Sequence, residues 1–99
     1  MTDLERILHA VLSESGVQRH AVLGPRRGKK PITEARQLGM YLSRKLLPHQ
    51  SLTSIGEFYQ RDRTTVRHAV EKYNKNITPE VKKLEARLAR TIFPVHVGQ

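Results

Sequence analysis

The stretch RDRTTVRHAV, residues 61–70, gathers basic and hydroxyl-bearing side chains: Arg61, Arg63, Thr64, Thr65, Arg67 and His68. Arginine pairs bidentately with guanine O6 and N7, and a threonine methyl packs on a thymine methyl. These residue types suit the reading of base edges. If Val66, Ala69, Val70 and Tyr73 face a core, helical spacing turns Arg63, Thr64, Arg67 and His68 outward together. Asp62 stands where an N-cap belongs. The first turn of such a helix favours a phosphate through its N–H groups and dipole. The plainer alternative is a solvated helix face in which Arg67 pairs with Glu71, four residues on.

A second cluster is GPRRGKKP, residues 24–31, where two glycines and two prolines frame Arg26, Arg27, Lys29 and Lys30. That composition breaks helices and reads as an exposed loop. A flexible basic arm beside a helix-turn-helix reaches into a minor groove or along phosphates. Its alternative is a charged loop with only long-range attraction.

The wider charge pattern agrees with a polyanion partner. The 99 residues carry 18 Lys plus Arg against 9 acids, a net charge of +9. Residues 1–18 hold one base and three acids, whereas residues 19–50 hold eight bases and one acid. Clustered basic charge is the electrostatic footprint of nucleic-acid binding.

Other chemistries find no support. There is no cysteine, hence no disulfide, thiol catalysis or cysteine zinc site. His9, His20, His49, His68 and His96 include no i, i+4 pair, so no metal is expected. No P-loop is present and no pair of acids is placed for catalysis. The expectation is a non-enzyme with no cofactor and no small-molecule substrate. No apolar run approaches the roughly 20 residues of a membrane span, and MTDLERIL has no apolar signal segment. A cytoplasmic, nucleoid-associated place follows.

The elements that position these residues read as helices throughout. Thr2 and Glu5 match a capping box ahead of Leu4, Ile7, Leu8, Val11 and Leu12, with Gly16 as the stop. One short helical turn is expected around Val17 to Leu23. Thr33 opens the next helix, with Ala35, Leu38, Tyr41, Leu42 and Leu46 inward until Pro48. Gly39 in its middle suggests a close helix contact. Ser51 caps a helix to about Tyr59, Asp62 a helix to about Tyr73, and Thr78-Pro79-Glu80 starts the last one, to about Phe93. The expected fold class is all-α, a compact bundle of five or six helices in one domain, 1–99. A helix-turn-helix occupies about 51–73, the C-terminal helix about 79–93 and a short tail 94–99.

ARQLGMYLSRKL (35–46) followed by SLTSIGEFYQRDRTTVRHAVEK (51–72) resembles the C-terminal DNA-binding domain of the bacterial replication initiator DnaA. That family pairs an Arg-Gln before an apolar helix with "SL..IG" and a signature near Gly-Arg-Asp-His-Thr-Thr-Val-x-His-Ala. The resemblance implies a helix-turn-helix that reads a short double-stranded box, with the basic loop in the adjacent minor groove. Arg61, Asp62, Thr64, Thr65 and His68 match the signature. Arg36 and Gln37 match the Arg-Gln, which implies a place at the DNA backbone, and Arg26 or Arg27 matches the minor-groove arginine. Arg63 departs by replacing a histidine at a base-reading position. The turn is one residue shorter, with Tyr59-Gln60 for Phe-Gly-Gly, and the loop is one residue longer.

The expected contact set for double-stranded DNA is therefore Arg26, Arg27, Lys29, Lys30, Arg36, Gln37, Lys45, Ser51, Thr53, Arg61, Asp62, Arg63, Thr64, Thr65, Arg67 and His68. Met1 directly before a capped helix points to a standalone relative that regulates transcription. The alternatives are an origin-binding domain excised from a replication initiator, a nonspecific coating protein, or a basic adaptor. The adaptor would dock on an acidic protein partner through the last helix and the apolar tail 92–95.

Overall fold

Short side-chain caps set most of the helix starts. In the computed structural model, which describes residues 1–94, the helices are α1 (Asp3–Ser15), α2 (Arg19–Leu23), α3 (Lys30–Leu46), α4 (Leu52–Tyr59), α5 (Arg63–Lys75) and α6 (Pro79–Ile92). Residues 95–99, with His96 and with Val95 of the apolar tail, lie outside the described residues. Thr2, Ser51, Asp62 and Thr78 each accept from the backbone N–H three residues on. Such caps satisfy donors that the helix itself leaves without partners. The described residues contain no strand, as an all-α class requires. None of these helices is long and apolar enough to cross a membrane.

Three local readings change. Glu5 receives the Thr2 cap only one way; its carboxylate turns instead to Arg19, with N–O distances of 2.7 and 2.9 Å. That bidentate pair holds the Glu5 carboxyl below its usual range and joins α1 to α2. The long helix starts at Lys30 rather than Thr33, because Pro31 fits the first turn, where its missing N–H costs nothing. Thr33 is not a cap: its hydroxyl donates to the Arg27 carbonyl at 3.2 Å. Finally, α3 is more than a one-sided stripe. Arg36, Gly39, Met40 and Ser43 are buried beside Ala35, Tyr41, Leu42 and Leu46. The reason is that every other helix packs on α3.

The core joins Ile7, Leu8 and Val11 of α1, Met40, Tyr41 and Leu42 of α3, Ile55 and Tyr59 of α4, and Val66 and Ala69 of α5. Gly39 lets α4 approach: a Cβ there would lie 2.5 Å from the Tyr59 hydroxyl. Ser43 donates to the Gly39 carbonyl at 2.7 Å, which leaves the Tyr59 hydroxyl to donate to Ser43 Oγ at 3.4 Å. Burial pushes the Tyr59 phenol above its ordinary value, so it stays neutral. Tyr41 stacks on Tyr73 with centroids 5.2 Å apart and donates to Glu85 at 3.3 Å, tying α5 and α6 to α3.

Between α4 and α5 the chain turns in three residues. Gln60 takes the left-handed conformation, φ 59°, and the Arg61 N–H reaches back to the Gly56 carbonyl at 2.8 Å. This is a Schellman stop with glutamine where glycine is ordinarily found. A non-glycine residue pays roughly 1–2 kcal/mol for that conformation. Gln60→Gly should therefore stabilise the chain by about 1 kcal/mol, less the extra freedom glycine has when unfolded. A denaturant midpoint that fails to rise would refute a strained Gln60.

Candidate nucleic-acid interface

Asp62 carries the geometry of the recognition helix. Its carboxylate accepts from the Thr65 N–H at 2.8 Å and from the Thr65 hydroxyl at 3.1 Å. Those bonds, the backbone one first, hold the Asp62 carboxyl below its ordinary value. The acid is thereby spent on the helix end, and Thr65 is half-buried beside it. Val66 and Ala69 go into the core, which leaves Arg63, Thr64, Arg67 and His68 exposed on one face of α5. The ion pairs among the described residues are Arg6–Asp3, Arg19–Glu5 and Arg87–Glu14, and none involves Arg63, Arg67 or Glu71. Arg67 is therefore not neutralised by Glu71.

The basic arm is held by its main chain. Arg36 Nε donates to Val22 O at 2.7 Å, Nη1 to Arg27 O at 3.0 Å, and Nη2 to Ala21 O and Arg26 O at 3.0 and 3.1 Å. Arg61 Nη2 donates to Gly24 O at 2.9 Å and Arg26 O at 3.2 Å. Arg26, Arg27, Lys29 and Lys30 themselves stay exposed. The expectation of a flexible arm is thus revised: its backbone is pinned and its side chains are free.

Arg36 is also revised. The resemblance implied a place at the DNA backbone, but the residue is 3% exposed and its donors are committed to carbonyls. Burial, and then the nearby Arg61 charge, push its pKa below the ordinary arginine value. Arginine keeps its proton even so, and it serves as an internal brace.

Gln37 and Thr65 sit with Arg27 and Arg61 around a groove of about 310 Å³ between the arm and α5. A neighbouring groove of about 350 Å³ is lined by Arg27, Lys30, Thr33, Gln37 and Lys72, among others. Lys72 belongs to this surface and was missed by sequence reasoning: its ammonium donates to Gln37 Oε1 at 2.8 Å. The signal was available, since Thr64, His68 and Lys72 recur every four residues. Lys45 lies elsewhere, with Tyr41, Arg44, Pro48, Val70 and Asn74 along a groove of about 280 Å³. Ser51 and Thr53 are exposed at the start of α4, with the Ser51 hydroxyl occupied as a cap by Ser54 N–H at 3.0 Å.

Two helices joined by a three-residue turn, the second presenting a basic, capped, solvent-facing end, define a helix-turn-helix DNA-binding domain. The chain belongs to the bacterial DnaA protein helix-turn-helix family, whose model matches residues 4–72. It is 39% identical over 80 residues to the chromosomal replication initiator protein DnaA of Rhizobium meliloti, covering 80% of this chain and 16% of that protein. It is 38% identical over 92 residues to the protein of the same name from Deinococcus radiodurans, covering 93% of this chain and 18% of that protein. The chain thus spans less than a fifth of the length of these relatives.

Proposed function

We propose that this chain binds double-stranded DNA with sequence preference and regulates transcription by occupying its site. The α5 end enters the major groove and the arm, through Arg26 or Arg27, lies at the adjacent minor groove. One observation carries the reading: Arg63, Thr64, Arg67 and His68 are exposed together on a capped helix whose opposite side is core. Lys29, Lys30, Gln37, Lys45, Ser51, Thr53 and Lys72 would serve phosphates. A second reading, an origin-binding domain, is favoured by the initiator names of the relatives.

Selection from random duplex DNA at physiological salt tests the proposal. A recovered motif supports it. Binding without a motif would mean coating, and no binding would favour a basic adaptor for an acidic protein. A motif that works only when placed in a promoter separates regulation from origin binding. On the recovered site, Arg63→Ala should cost about 1–3 kcal/mol and relax preference at one base pair. Equal loss on every duplex would make Arg63 a phosphate contact instead.

A further inference from the structure

We propose that Arg61 is a positioning residue, which fixes the basic arm to the turn that launches α5 and acts on DNA through the arm. The part that concerns DNA rests on the binding mode proposed above. Arg61 Nη1 donates to Gln60 O at 2.9 Å while Nη2 bridges Gly24 O and Arg26 O. The two arm carbonyls are 37 and 35 residues away in the chain, so this one side chain cross-links segments that are remote in sequence. The other end of the link is equally fixed. The Arg61 N–H is bonded to Gly56 O at 2.8 Å, and the next residue, Asp62, caps α5.

A planar fork that serves four carbonyls, Tyr59 O from Nη1 at 3.5 Å included, has few donors left for a phosphate. What it supplies is spacing. The arm starts at a set distance from the first turn of α5, so base pairs met by the arm and base pairs met by the helix are read in one register. Arg36 reaches the same Arg26 carbonyl from α3, at 3.1 Å, but only Arg61 belongs to the recognition turn.

Backbone NMR relaxation of the free protein and a double-mutant cycle on the selected site test this. Arg61→Ala should lower the order parameters at Gly24 and Arg26, where the Gly24 carbonyl loses its side-chain donor, from the rigid range of about 0.85 toward about 0.6. It should weaken binding about tenfold by restoring the cost of ordering the arm. Preference should relax at the arm-side base pairs while the α5-side positions keep theirs. In a background of Arg26→Ala with Arg27→Ala, the same substitution should cost almost nothing further, because the tips it positions are gone. Arg61→Lys keeps the charge but not the fork, and should not restore order or affinity.

Unchanged order parameters would overturn the proposal. So would losses that add in the cycle, with a salt slope reduced by about 0.9, the mark of a lost phosphate contact. If the parent protein selects no motif, the DNA-binding mode fails; the relaxation measurement on free protein still decides whether Arg61 tethers the arm.

Discussion

Arg36→Ala should cost the folded chain about 2–5 kcal/mol, through backbone acceptors left without a donor and packing lost in a buried site. The guanidinium donates to the carbonyls of Ala21, Val22, Arg26 and Arg27. Alanine takes the side-chain donor from the Ala21 and Val22 carbonyls, in a site that is 3% exposed at that residue, while Arg26 O keeps Arg61 Nη2 and Arg27 O keeps the Thr33 hydroxyl. A buried orphan acceptor costs about 1–3 kcal/mol, and less where water can follow into the space vacated. Several of these bonds are only partly buried, which keeps the sum near the range given. A small domain has about 5–15 kcal/mol in total. Urea unfolding should therefore show a large fall in midpoint, and DNA binding should fail with folding. A loss below about 1 kcal/mol, with affinity reduced equally on all duplexes, would return Arg36 to the surface role implied by the resemblance.

Gly56→Ala is the other severe change, expected to cost about 3 kcal/mol through overpacking. An added Cβ would overlap the Arg61 carbonyl oxygen and stand 3.3 Å from the carbonyl carbon of Asp62. Those are main-chain atoms and cannot rotate aside. Nor can the segment drift, since Arg61 N–H is bonded to Gly56 O and Asp62 is committed to Thr65. Relief requires α4 and α5 to splay, which moves the recognition face as well as weakening the core. Denaturation with sequence-specific binding measured in parallel checks this: an alanine variant as stable as the parent would mean the turn is not as tight as described.

The outward face of α5 was legible because its causes are local. A cap and its partner lie three residues apart, and burial of Val66 and Ala69 leaves few directions for Arg63 and Arg67. The same holds for the starts at Thr2, Ser51 and Thr78. What escaped is nonlocal. Whether an arginine lies on the surface or folds inward depends on acceptors that the chain brings from elsewhere. For Arg36 they are 9 to 15 residues away and for Arg61 they are 35 and 37. Glu5 turned from its own helix end to Arg19, 14 residues on, for the same reason. Lys72 needed the packing of α5 on α3 to become a neighbour of Gln37.

The brace around the arm grips carbonyl oxygens, and every amino acid has one. Nothing in the mount depends on which side chains residues 26 and 27 carry. The tips are therefore exchangeable without rebuilding the mount. Lineages, or an engineer, can retune what the arm prefers by changing a residue at a time, while the distance to the reading helix stays constant.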